Sequence, residues 1–360
     1  MLKKFTGVSL LFLFIFPIFV SAQTTINKAK IVDVISTERS QLEGFDIFVT
    51  NQNITVQFLD GPNINKNVTF TQDKFVVEQG EIVFIQESTE GQYQILEKDR
   101  TKMIFYVLAL FILLIVLLNG TQGLKSIFGL ALSFVVIIFV MLPLVIQGFN
   151  PLIISIVIGG IILSSVLYLS HGFNRGSTIA LFGTLGAIAC AGLLSLGVSY
   201  WMRLTGLGDD ESLSALVATK GLVNFADLLL AGIIVGMLGV LDDIAITQVA
   251  VVSEIKKANP SLPAKDIFVR ALRVGKEHVS ALVNTLVLAY TGASFPILLL
   301  LYQSGIRIDM LVSQEIVATE IVRTLVGSIG LIIAVPLTTY LAAKYLKKDD
   351  NVEYHCGHIH

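Results

Sequence analysis

The chain has 360 residues, of which 54% are hydrophobic and only 14% charged, with a mean hydropathy of +0.78. That balance excludes an ordinary soluble domain and indicates a membrane protein that crosses the bilayer several times. A net charge of -2 supports neither a nucleic-acid surface nor a polybasic lipid-binding surface, and two cysteines, Cys190 and Cys356, are too few for a disulfide framework.

The N-terminus carries Lys3 and Lys4, an apolar core from Leu10 to Val20, and a small-residue ending at Val20-Ser21-Ala22. This pattern predicts a signal peptide over residues 1–22, which sends residue 23 onward out of the cytoplasm. Residues 23–101 then change character. Short runs rich in Val, Ile, Phe and Thr (KIVDVIS, DIFVTNQ, ITVQFLD, NVTFTQD, EIVFIQE) are separated by turn-forming clusters such as LDGPN and VEQGE. They predict a small extracytoplasmic all-β module, a partly closed barrel of five or six strands. Its 12 acidic against 7 basic side chains disfavour an anionic lipid or nucleic-acid ligand.

From Met103 the hydropathy predicts a transmembrane domain over 102–345, followed by a cytoplasmic tail at 346–360. Seven spans are expected near 103–119, 126–147, 151–170, 177–200, 224–252, 279–302 and 316–343, each long enough for a hydrocarbon core of about 30 Å. The fold class is thus mainly α, a polytopic helical bundle of about seven spans with a small N-terminal β module. If that module lies outside, the cytoplasmic connections hold Lys125, Arg175, Lys256, Lys257, Lys265, Arg270, Arg273, Lys276, Lys344, Lys347 and Lys348, against Arg203, Lys220 and Arg307 outside. The asymmetry agrees with the positive-inside rule and places the C-terminus in the cytoplasm of a cell-membrane protein. Asp209, Asp210 and Glu211, followed by SLSALVATKGLVNF, predict a short interfacial helix between the fourth and fifth spans.

The fifth span contains GMLGVLDDIAITQ, residues 236 to 248, with two adjacent aspartates in an aliphatic, glycine-rich run. Asp243 is expected about 15 Å deep, near the bilayer midplane. Gly232, Gly236, Gly239, Asp243 and Thr247 follow at spacings of 4, 3, 4 and 4, so they share one helix face. Gly232, Gly236 and Gly239 are read as a helix-packing face, because a G-x-x-x-G spacing lets a neighbouring backbone approach. Asp242 points about 100° away. A charge at the centre of a span costs roughly 2.5 to 3.5 kcal/mol, so Asp243, Asp242 and Thr247 are the candidates for proton or ion coupling. Glu320 and Arg323, at i and i+3 in the last span, form a second polar pair; Asn284 and Thr285, with Tyr290 and Thr291, add polar groups to the sixth. Gly183, Gly186, Gly327 and Gly330 are read as close-packing positions.

Other chemistry is thin. The tail HCGHIH, with His355, Cys356, His358 and His360, is read as a solvated tract rather than a metal site. His171 and His278 are read as solvated residues at span ends. Phosphate loops, zinc-site spacings and nucleophile elbows do not occur, so no cofactor or metal is expected.

The runs LLLAGIIVGMLGVLDDIAITQVAVVSEI, FNRGSTIALFGTLGA and EIVRTLVGSIGLIIAVPLT resemble the YibE/F family of bacterial multi-pass membrane proteins over essentially all of 103–343. VVEQGEIVFI resembles the family's β segment before the membrane, with Gly80-Glu81 where Gly-Asp is usual. The resemblance places the family's aspartate at Asp243 and its small polar residue at Thr247; Asp242 stands where the family is usually apolar. It implies membership and leaves activity open.

Three functions compete. The first is a secondary transporter or exporter of a small solute or ion, coupled through Asp243. The second is a non-catalytic membrane scaffold or sensor, whose β module binds an envelope partner or whose bundle forms a homo-oligomer. The third, an intramembrane aspartyl hydrolase, is set aside because Asp242 and Asp243 diverge on one helix and no second aspartate on another span offers a facing carboxylate. The chain is therefore read as no enzyme, in a lipid bilayer and without nucleic acid.

Overall fold

The computed structural model describes residues 26–41, 48–87 and 92–347. The expected signal peptide and the HCGHIH run lie outside them. Two compact units meet between Leu117 and Leu118.

The first unit holds five strands: β1 (Ile26–Gln41), β2 (Phe48–Phe58), β3 (Asn67–Gln72), β4 (Ile82–Glu87) and β5 (Tyr93–Lys98). They form one antiparallel sheet in the order β3-β2-β1-β4-β5. Residues 48–52 and 54–58, read as parts of two separate strands, belong to the single strand β2. Register shifts between Ile31 and Asp33 and between Val34 and Ser36 are the bulges that curve β1. Curvature brings the edges together, so that Phe70 of β3 and Tyr93 of β5 have ring centroids 6.1 Å apart. The period-2 alternation buries Ile54, Val56 and Phe58 from β2 and Val83 and Ile85 from β4 in one core. Gln52, on the same face of β2, satisfies a strandless stretch: its Nε2 donates to the Val77 carbonyl at 3.0 Å and its Oε1 accepts from the Val77 amide at 2.7 Å.

Ion pairs close the lower margin of this sheet, Lys28 with Asp99 at 2.9 Å and Lys98 with Glu81 at 2.8 Å. Hydrogen bonds from Thr101 and Lys28 hold the Asp99 carboxyl well below the usual carboxylate range. A depressed folded-state pKa adds stability above the unfolded value, which is lost as pH falls towards the folded one. The β unit is therefore expected to loosen below about pH 4, and Asp99→Asn to flatten that acid transition, as read by protease susceptibility of the full chain across pH.

The helices run α1 (Thr101–Val136), a π-turn (Ile137–Met141), α2 (Leu142–Ile146), α3 (Pro151–His171), α4 (Arg175–Met202), α5 (Asp210–Ala218), α6 (Phe225–Ala258), α7 (Ala264–Ala293), α8 (Phe295–Gln303), α9 (Ile308–Ser313) and α10 (Glu315–Tyr345). Asparagine starts three of the long ones. The side chains of Asn150, Asn174 and Asn224 accept from the amides of Ile153, Ser177 and Asp227, satisfying donors that the first turn leaves open. Asp209 does the same for α5, accepting from Ser212 at 2.6 Å.

Five helices among the described residues are long and apolar enough to cross a membrane, and six if α7 and α8 make one bent span. The expected seven differs because Thr101–Ile146 counts here as one stretch of 46 residues, about 69 Å long. Gly120 interrupts its helical dihedrals with φ 54° and ψ -132°, a conformation open to glycine. The sixth span is also corrected. Its helix begins at Ala264, not 279, so most of the supposed basic loop is helical, with Ile267, Ala271, Gly275 and Val279 buried at a spacing of four. It breaks at Ser294, before Pro296, with a bend of 61°.

α6 is the central helix, touching α3, α4, α7 and α10. Leu230, Ile234, Met237, Leu241 and Val249 form its buried side. Small residues bring α4 and α10 close: a Cβ on Gly183 would fall 2.1 Å from Thr338 Oγ1, and one on Gly186 would fall 2.5 Å from Leu337 Cδ2. Gly330 lies against Ala191 and Met237. At the far end, Lys256 of α6 donates to the carbonyl oxygens of Ala343 at 2.8 Å and Leu346 at 2.6 Å, capping α10. Lys256→Met should cost about 2 kcal/mol and lower the unfolding temperature in detergent.

Candidate functional site

The buried side of α6 leaves one flank uncovered. Gly232, Gly236, Gly239 and Asp243 are exposed along it and Thr247 is half-buried, as their spacing predicts for one face. Within the described residues of this chain, two of the three glycines make no close packing contact. A Cβ built on Gly232 or Gly239 meets nothing within 4 Å. Over Gly236 stands the Tyr290 hydroxyl of α7, 2.7 Å from where a Cβ would be.

Asp242 and Asp243 fall at the middle of the 34-residue α6. Asp242 is half-buried, and its Oδ1 accepts the Asp243 amide at 3.0 Å. Asp243 lies within electrostatic reach of His171, at the end of α3, and His278, on α7. Lys125 of α1 is in turn within reach of His171. Both histidines belong to long helices, His171 half-buried at the end of α3 and His278 exposed on α7. No sequence spacing links them to Asp243; only the packing of α3 and α7 beside α6 does.

The second polar group lies towards the start of α10. Arg323 Nη1 is 3.3 Å from Glu320 Oε1, with side chains 31% and 28% exposed. Arg323 Nε is buried without a hydrogen-bond partner among the described residues. Tyr290 lies within electrostatic reach of both, so it stands between this pair and the glycine flank. The pair lines a cavity of about 170 Å³ together with Gly208, Asp209, Ser212 and Thr319. Its rim is fixed by Glu315, whose Oε1 accepts from the amides of Thr205 at 2.6 Å and Gly206 at 2.7 Å and whose Oε2 accepts from the Thr205 hydroxyl at 2.9 Å. Gly206 has φ 74°, and a Cβ there would fall 2.2 Å from the Phe225 carbonyl oxygen.

The polar groups of α7 divide. Thr285 and Thr291 donate to their own helix, to the carbonyls of Ala281 and Val287, and Asn284 is exposed. Tyr290 alone among them reaches the second polar group. A buried amide that sequence reading missed is Gln248: its Oε1 accepts from Thr339 at 2.9 Å, and its Nε2 has no partner among the described residues. Its position five residues after Asp243 was the available signal. Among the described residues no cluster of His, Cys, Asp or Glu could hold a metal.

Apolar helices around intramembrane carboxylates, with a small antiparallel β unit before them, define a polytopic helical membrane protein. The YibE/F-like protein family model matches residues 107–348, and the chain belongs to that family. No curated protein and no solved structure matches it.

Proposed function

We propose that the protein is a secondary transporter or exporter of a small solute or ion, in which Asp243 takes up and releases a proton or cation as the bundle opens alternately. One observation carries this reading: the glycine-floored flank of α6 is open at Gly232 and Gly239 and ends at Asp243, with His171 and His278 in reach. A carboxylate in a span is costly unless it faces a polar or hydrated space, and these neighbours can share its proton. Thr247 continues the face one turn on. Glu320, Arg323 and Tyr290 form the polar group nearer the other end.

In this reading Thr101–Ile146 crosses twice, turning at Gly120, and the α7–α8 pair crosses once, for seven crossings. The β unit lies outside the cell membrane and the C-terminus inside, as the distribution of Lys and Arg supports. No enzymatic role is assigned: Asp242 and Asp243 diverge by about 100° on one helix. The test is Gly239→Leu. The side chain has room, so unfolding in detergent should stay within about 0.5 kcal/mol of wild type, while gradient-driven flux in proteoliposomes should fall to background. Undiminished flux would remove the flank from the pathway.

A second reading, a scaffold or sensor, is favoured by the same flank in another way. The uncovered stretch at Gly232 and Gly239 can seat a helix of another copy or of an envelope partner. Crosslinking through cysteines at positions 232 and 239, with flux absent, would select it.

A further inference from the structure

The cavity between the α4–α5 connection and α10 has a charge pattern that no step above uses. Its lining carries one guanidinium, Arg323, and two carboxylates, Asp209 and Glu320, beside the hydroxyls of Ser212 and Thr319. The Arg323–Glu320 pair is loosely made. Its single approach of 3.3 Å is longer than the roughly 2.7 to 2.9 Å of a charge-assisted hydrogen bond, and Arg323 Nε beside it has no partner among the described residues. Arg323 lines the cavity, and a guanidinium there can donate two parallel N–H groups to a carboxylate.

Charge compensation then selects the ligand. A simple anion on Arg323 would strip Glu320 of its counter-charge, and a simple cation on Glu320 would strip Arg323, each leaving a partly buried charge unpaired. A molecule bearing both signs compensates both. Size narrows it further: a cavity of about 170 Å³ limits the ligand to a small solute.

We propose that this cavity binds a small zwitterion of the amino-acid type, its carboxylate on Arg323 and its ammonium on Glu320 and Asp209, the Arg323–Glu320 pair parting to admit it. Tyr290, within reach of that pair and standing over Gly236, places the site beside the flank that leads to Asp243. The inference deepens the transport reading, resting on it for the passage of the solute but not for its binding.

Purified full-length protein is heated in detergent with glycine, L-alanine or β-alanine, and in parallel with propionate and with propylamine. At least one zwitterion is expected to raise the unfolding temperature by about 5 °C at a hundred times its Kd, with neither single-charge compound doing so. The exchange E320R/R323E keeps an ion pair but reverses its direction, and should abolish the shift while leaving the unliganded unfolding temperature near wild type. Should that variant fold poorly, Thr319→Leu, which narrows the cavity without touching a charge, should abolish the shift instead. Equal stabilisation by propionate or propylamine alone, a shift that survives both variants, or no shift with any zwitterion overturns the site. Asp243→Asn should keep the shift. Binding without uptake by wild-type proteoliposomes would retire the transport reading and leave the site standing; uptake without binding here would do the reverse.

Discussion

Asp243→Asn is expected to reduce gradient-driven flux to the background of empty vesicles while leaving expression and unfolding temperature near wild type. The amide keeps the size and hydrogen-bonding capacity of the side chain and removes its proton exchange, so a structural role would survive the change and a coupling role would not. The side chain is exposed on the open flank. Its titratable neighbours are Asp242 on its own helix, His171 from α3 and His278 from α7. Asp242→Asn should be milder, lowering flux without abolishing it, because its carboxyl is turned back onto the Asp243 amide. Proteoliposome flux measured across a pH gradient separates the two, and wild-type flux in the Asp243 variant ends the coupling role.

Gly183→Val should have the largest effect on the fold. The added Cβ would approach Thr338 Oγ1 to 2.1 Å and Thr338 Cα to 3.1 Å, so rotating the threonine cannot relieve it; α4 and α10 must part. The cost should lie at or above the upper end of the usual 1 to 3 kcal/mol for overpacking. Thr338→Ala combined with Gly183→Ala should recover part of the loss, because the closest atom is then gone and Thr338 Oγ1 has no hydrogen-bond partner to forfeit among the described residues. Unfolding in detergent, run beside the tolerated Gly239→Leu, puts a packing glycine and an open one on one scale.

That contrast shows how much could be read in the chain. Hydropathy located every long apolar helix, since the bilayer demands length and apolarity in contiguous residues. Gly183 and Gly186 of α4 and Gly236 and Gly239 of α6 are both three apart, yet only Gly239 is open, because spacing specifies a smooth face and not what lies against it. The α7 start was missed for a different reason: Lys265, Arg270, Arg273 and Lys276 lower the local hydropathy, although Ile267, Ala271, Gly275 and Val279 carry the helical period beneath them. Asp243 was legible as an isolated charge in a span. Its histidine neighbours were not, being 72 and 35 residues away along the chain.

Glu315 gathers two amides and a hydroxyl from Thr205 and Gly206 onto one carboxylate at the first turn of α10. This clasp makes the α4–α5 connection and the head of the last long helix a single lever, so the wall bearing Arg323 cannot swing away from the strip around Asp209 by itself. In the transport reading, a rocking that admits a solute would pivot where the backbone is already broken, as at the elbow of Ser294, one turn from Tyr290.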